Sequence, residues 1–187
     1  MKAKYLFFSL LFALSLGLDQ ASKIWARSTL KPRGYGAVIT VINNFFDLRY
    51  SENPGSAFGM FRGMPSARYF LFGVGILCLG IIAAWLYRLP AKAPWLGAKL
   101  GLLAGGAVGN VVDRVQFGKV TDFVVWKVTT ASGVHEWPTF NIADAALVIG
   151  VILLILDWPR DPAVREEAER AVTAGTADAG GATGAAA

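Results

Sequence analysis

The sequence is short of cysteine and histidine. It holds one cysteine, Cys78, and one histidine, His135. A single Cys closes no internal disulfide, and a zinc site needs several His or Cys ligands, so neither a disulfide scaffold nor a metal centre is expected. Cys78 lies mid-way along an apolar run, where a free thiol is expected to pack as a small hydrophobe. His135 has no nucleophile-elbow motif to accompany it, which argues against a serine triad. Charge is scarce as well. Only 17% of the 187 residues are Asp, Glu, Lys or Arg, against about 25% in soluble domains. The net charge of +5 is scattered, with no basic stripe interleaved with stacking aromatics, so no nucleic-acid partner is expected. Positive charge of this kind suits anionic lipid headgroups, and membrane lipids are the expected surroundings.

What the chain has in quantity is apolar: 55% of it is hydrophobic, with 21 Gly and 6 Trp. The expected architecture is a mainly α integral membrane protein with four transmembrane helices and a small β element. The first apolar run, Tyr5 to Leu18, follows Lys2 and Lys4. That order also fits a cleaved signal peptide. An uncleaved span is favoured, because further spans follow and Asp19 and Lys23 continue the helix at i,i+4 on one face. The second span is expected over 67–87, with Trp85 and Tyr87 as an interfacial belt. The third is expected from Trp95 to about Val112. In it Gly97, Gly101, Gly105 and Gly109 recur every four residues, a stripe that lets a neighbouring helix approach closely. Gly106, Asn110 and Asp113 fall on a different face, and Lys99 is expected to snorkel to the surface. The fourth span is expected over 139–156, with Pro138 at its start.

Two irregular regions separate these spans, over 24–66 and 114–137. Val38 to Ile42, Phe45 to Tyr50 and Val120 to Val128 are rich in β-branched and aromatic residues and are expected as strands. Asn53-Pro54-Gly55-Ser56 is a turn signal, and Gly59, Gly63 and Pro65 prolong the irregular region. The expected unit is therefore a four-span domain over 1–158. Residues 159–187 are expected as a tail on the side of the termini, disordered at its Ala/Gly/Thr-rich end.

Four spans joined in this way bring Asp19, Lys23, Asn53, Asn110, Asp113, Arg114, Asp122, Asn141 and Asp144 to one side of the membrane. Each alone is an ordinary helix-end or capping residue. Four elements delivering carboxylates and amides to one face point instead to an active site. Asp19 has Lys23 one turn on, and Asp113 has Arg114 beside it, which suits supporting charges. Asp122 and Asp144 have only apolar or Thr neighbours in sequence. Ionisable residues so placed are by default functional candidates. Burial favours the neutral carboxyl, and a second carboxyl nearby favours it further, so a dyad shares one proton. One member then takes a proton from water while the other gives one to a carbonyl oxygen. That chemistry hydrolyses a peptide with no metal and no cofactor.

Five motifs carry a resemblance at these residues: Asp19-Gln20-Ala21-Ser22-Lys23, Asn53-Pro54-Gly55-Ser56-Ala57-Phe58, the run from Gly105 to Arg114, Val120-Thr121-Asp122-Phe123, and Phe140-Asn141-Ile142-Ala143-Asp144. In this order the chain resembles the bacterial lipoprotein signal peptidases, the type II signal peptidases, over roughly 5–158. The resemblance implies an aspartic endopeptidase of the cytoplasmic membrane, monomeric, cutting lipid-modified prolipoproteins just before the diacylglyceryl-bearing Cys. It implies Asp122 and Asp144 as the catalytic dyad. Asn53, Gly55, Asn110, Arg114 and Asn141 are implied as supporting or substrate-binding residues, and Asp19, Lys23 and Asp113 as structural charges. The charge count alone leaves orientation open, since 24–66 carries Arg27, Lys31, Arg33, Arg49 and Arg62. The resemblance places both termini in the cytoplasm, the site at the outer face, and a β-cradle with a mobile segment outside. Two departures stand out. Pro54 replaces a small polar residue, and the stretch between Asp122 and Asp144 is slightly long. The competing class is a small transporter or proton relay using intramembrane carboxylates, and a third is a non-catalytic scaffold packed by the glycine stripe.

Overall fold

A computed structural model describes residues 2–55, 67–157 and 170. Helix α1 runs Ala3–Trp25, α2 Ala67–Arg88, α3 Pro94–Phe117 and α4 Ile142–Asp157. At about 1.5 Å per residue the first three are roughly 33–36 Å long, enough for a hydrocarbon core of about 30 Å. Their composition is apolar enough to match. The described part of α4 is shorter, 16 residues, and equally apolar. The chain is a membrane protein of mainly helical build with a small antiparallel sheet, as expected.

Helix α3 is central, packed by α1, α2 and α4. The glycine stripe is why α1 lies so close. A Cβ at Gly97 would collide with the Lys4 carbonyl, one at Gly101 with that of Phe8, one at Gly105 with Ser15 and one at Gly109 with the Asp19 carboxylate. Gly106, on the other face, makes the same room for α4 at the Ala143 carbonyl. Lys4 is buried and donates to the carbonyls of Leu86 (2.8 Å), Tyr87 (3.2 Å) and Leu89, closing the C-terminal end of α2. Helix α1 thus packs one face against α3 from Lys4 to Asp19.

Several sequence expectations shift. Lys99 is buried rather than snorkelled, because α3 is surrounded by three helices near that point. Cys78 is exposed rather than packed. Helix α2 meets α3 through Gly75, Leu79, Ile82 and Leu86, and Cys78 lies at the flank of that stripe, outside the contact. The chain after α1 does not break at residue 24. It continues as a π-helical turn, Ala26–Leu30, and a 3-10 turn, Lys31–Arg33. Helix α3 runs on past Val112 to Phe117, and Gly118, at φ 69°, ends it in a left-handed cap bonded to the Arg114 carbonyl (3.0 Å).

The sheet has four antiparallel strands in sequence order: β1 Val38–Ile42, β2 Phe46–Asn53, β3 Val120–Thr130 and β4 Gly133–Glu136. Strands β2 and β3 are longer than expected, and β4 carries too little apolar pattern to be seen in the sequence. Its partner residues are Thr and Lys as well as Val, all on an exposed hairpin. Between Leu48 and Ser51 the β2–β3 register slips, so Arg49 and Tyr50 together oppose Phe123. Such bulges re-aim side chains beside functional sites. Helix α4 starts at Ile142, not at Pro138, because Phe140 is tied to β3 by paired backbone bonds with Val124 (2.9 and 3.0 Å). The expectations for residues 56–66 and for the tail from 158 lie outside the described residues, Arg170 excepted.

Candidate active site

Helix α4 opens with a capping box. Asn141 accepts from the Asp144 backbone N–H through Oδ1 (3.0 Å), and Asp144 Oδ2 accepts from the Asn141 N–H (3.2 Å). The second helical N–H, of Ala143, donates to Asp19 Oδ1 (2.9 Å). The sequence pair Asn141 and Asp144, three residues apart, is therefore a helix start that also fixes a carboxylate in place. The free end of the Asn141 amide reaches outward. Its Nδ2 donates to Asp122 Oδ1 (2.6 Å) and to Asn110 Oδ1 (3.2 Å). Asn141 is fully buried, and its one side chain touches both carboxylate-bearing elements.

Asp122 stands on β3, its residue 2% exposed. Register places Ser51 opposite Asp122 and Asn53 opposite Val120, so Asn53 and Asp122 are diagonal neighbours on one face of the sheet. Asn53 Nδ2 donates to Asp122 Oδ2 (3.2 Å). The Asn53 oxygen is held by the Gly55 N–H (3.1 Å), an Asx turn that aims the amide nitrogen at Asp122. Gly55 is needed there, since its φ of 143° is one that side-chain-bearing residues rarely adopt. Burial, and after it the charge of Asp144, push the Asp122 carboxyl up to about 7, against the pull of Asn141, Asn53 and Lys23.

Asp144 receives the Asn110 Nδ2–H on Oδ1 (2.8 Å). The Asn110 oxygen in turn accepts from Lys23 Nζ (2.9 Å), which also pairs with Asp19 (2.9 Å) and lies 3.7 Å from Asp113. Lys23, Asp19 and Asp113 are fully buried. The i,i+4 pairing of Asp19 and Lys23 is as expected. The partner of Asp113 is not. Asp113 pairs with Lys23 and with Arg27 (3.2 Å), while Arg114 turns away and donates to the Asn110 carbonyl (3.2 Å). Neighbours in a helix point about 100° apart, so adjacency in sequence misleads here. Asp113 Oδ2 also accepts the Thr121 N–H (2.8 Å), and Arg27 donates to the Thr121 hydroxyl (3.0 Å), pinning β3 one residue before Asp122.

All ten sequence-singled residues are thus drawn into one connected polar cluster or border it. Four aspartates face three cations, Lys23, Arg27 and Arg114, the last feeling Asp144, Asp122 and Asp113. One proton on the Asp122–Asp144 pair balances the cluster. The Arg114 Nε–H is buried and has no partner among the described residues. Arg27, Thr121 and Gln20 were not anticipated. Gln20 donates to Asp19 (3.0 Å) and to the Gly109 carbonyl (3.2 Å). A sign of Arg27 is its place in a helix continuation on the Asp19–Lys23 face.

The model of a family described as signal peptidase (SPase) II matches residues 11–159. The chain belongs to the signal peptidase II family. A lipoprotein signal peptidase from Geobacter metallireducens is 38% identical over 163 residues, covering 86% of this chain and 95% of that protein. One from Moorella thermoacetica is 40% identical over 147 residues, covering 79% and 89%. Two solved structures, titled bacterial membrane enzyme structures by the in meso method at 2.3 and 1.9 Å resolution, superpose with TM-scores of 0.68 each. They are 31% and 30% identical, and each alignment spans 81% of this chain. As a signal peptidase II family member the chain is a peptidase, and the pair of the buried Asp122 and the half-buried Asp144 is the feature of its site that such chemistry can use.

Proposed function

We propose that the chain is an aspartic endopeptidase that removes the signal peptide from diacylglyceryl-modified prolipoproteins, cutting before the lipidated Cys. One observation carries this reading. Two carboxylates from different elements, the buried Asp122 on β3 and the half-buried Asp144 at the start of α4, are both bonded by Asn141. Such a pair shares one proton. The ionised member removes a proton from water as the oxygen attacks the scissile carbonyl carbon, and the neutral member protonates the carbonyl oxygen. The gem-diol intermediate then collapses: the aspartate that took the proton from water gives it to the leaving nitrogen, while the other takes a proton back from a gem-diol hydroxyl, so one proton stays on the pair.

The supporting residues have distinct tasks in this scheme. Lys23 orients Asn110, and Asn110 orients Asp144. Asn53 holds Asp122, with Gly55 fixing the Asn53 amide. The unpartnered Arg114 Nε–H is a donor suited to a substrate backbone carbonyl. Asp19 and Asp113 balance Lys23 and Arg27 and anchor α4 and β3.

In the same proposal residues 1–158 form the membrane unit and 159–187 a tail. The termini are cytoplasmic and the site lies at the outer face of the inner membrane, so water enters from one side and a lipid-anchored substrate from the bilayer. The enzyme works as a monomer with no metal. The transporter reading draws no support from the buried lysine at the opposite end of α1, since Lys4 spends its donors on backbone carbonyls.

The test is cleavage by purified protein of a precursor with and without the diacylglyceryl group. Mass spectrometry of the product should show the lipidated Cys as the new N-terminus, with little turnover of the unmodified precursor. Cleavage at another bond, or equal turnover of both, would overturn the assignment.

A further inference from the structure

A second polar cluster lies beside Asn53 and is used by nothing above. Its centre is Glu52, the next-to-last residue of β2. Its carboxylate accepts from Lys31 Nζ (3.1 Å) and the Tyr50 hydroxyl (2.9 Å) on Oε1, and from the Tyr35 hydroxyl (2.7 Å) and Lys119 Nζ on Oε2. These donors come from three places: the 3-10 turn and the segment after it, β2 itself, and the junction between α3 and β3. The rings of Tyr35 and Tyr50 lie 6.0 Å apart, and Lys31 sits over Tyr50 at 5.6 Å. The side chain of Glu52 is 14% exposed. Burial alone would raise its carboxyl, but the four donors outweigh it and bring the group down to about 2.

Strand alternation puts Glu52 on the face opposite Asn53. Glu52 pairs with Thr121 and Asn53 with Val120, so the Lys119 contact closes the cluster at the residue before β3 begins. Charge-assisted bonds of this kind are the strong ones. They fasten the end of β2 to the start of the strand that carries Asp122.

We propose that Glu52 is a positioning residue for the peptidase reaction: by binding Lys31, Tyr35, Tyr50 and Lys119 together it fixes the end of β2 and holds the Asn53 amide against Asp122. The proposal rests on the roles given above to Asn53 and Asp122. Glu52 touches no reacting atom and acts through Asn53 alone.

The experiment is a double-mutant cycle on purified full-length protein with a lipidated precursor, reading kcat, KM and melting temperature for wild type, Glu52→Gln, Asn53→Ala and the double variant. Glu52→Gln should lower kcat about tenfold with KM nearly unchanged, and add no further loss on top of Asn53→Ala. Lys119→Met, which removes one of the four bonds, should show the same non-additivity and serves if Glu52→Gln folds poorly. Wild-type turnover by Glu52→Gln while Asn53→Ala is slow overturns this proposal and leaves the role of Asn53 standing. An equal loss in both backgrounds overturns it too, since general loosening of the sheet does that. Wild-type turnover by Asn53→Ala overturns the role of Asn53 and this proposal together.

Discussion

Asp122 couples acidity to stability in a direction opposite to that of a salt-bridged aspartate. Its carboxyl sits near 7 in the folded chain and near 3.9 when unfolded. Between those values the folded state holds a proton that the unfolded state releases, so the contribution of Asp122 to stability is fully present below about pH 3.9 and is lost as pH rises through about 7. Asp122→Asn cannot release that proton. Each tenfold difference in proton affinity between the folded and unfolded chain is worth about 1.4 kcal/mol. The variant should therefore melt above wild type at pH 8, by the equivalent of a few kcal/mol, and alongside it near pH 4. A melting difference independent of pH would count against the raised carboxyl. Asn141→Ser separates two duties of one residue. Serine caps a helix about as well as asparagine, yet it lacks the amide that bonds Asp122 and Asn110. Turnover should fall at least tenfold while helix content stays; unchanged turnover would remove Asn141 from the site. At this scale the sequence is legible where contacts are local. The i,i+4 spacing of Asp19 and Lys23 and the i,i+3 spacing of Asn141 and Asp144 both describe real bonds. Arg27 and Asp113 are 86 positions apart, and nothing local announces that pair.

Among the elements, α3 was the most readable. Its four-residue glycine period needs no tertiary information, because only a close neighbour makes so many missing side chains worthwhile in a helix. Which neighbour fills the stripe is a matter of fold, and the answer is α1. Gly101→Ala would drive a methyl into the Phe8 backbone, which cannot yield as a side chain can. A loss of about 1–3 kcal/mol follows. Gly80→Ala in α2 meets nothing within 4 Å and should be neutral or stabilising by up to about 1 kcal/mol. Thermal unfolding of the two variants in one detergent checks the contrast, and equal effects would refute the packing account. The start of α4 and strand β4 were less readable. Pro138 is a good helix opener by local rules, but the backbone pairing of Phe140 with Val124 holds that segment extended until Asn141. Strand β4 pairs with Lys127 and Val128 and, through the part of β3 that runs beyond Val128, with Thr129 and Thr130.

For the whole molecule, the expected convergence of polar groups on one end of the helices is what the fold delivers, with Lys4 and Lys99 as buried exceptions elsewhere along the spans. The proposed orientation places Lys92, between α2 and α3, in the cytoplasm and Ser132, at the tip of the β3–β4 hairpin, outside. In a Cys78→Ser chain, Lys92→Cys should react with an impermeant thiol reagent only from the cytoplasmic side and Ser132→Cys only from the outer side. Labelling of both from one side would contradict the orientation. The central claim is that Asp122 and Asp144 act as one acid–base pair. Its most direct measurement is the turnover of a lipidated precursor by Asp122→Asn and by Asp144→Asn, each purified and shown to be folded. Each should lose at least about 10²-fold in kcat, in line with acid–base contributions, while near-wild-type turnover by either variant would contradict the dyad.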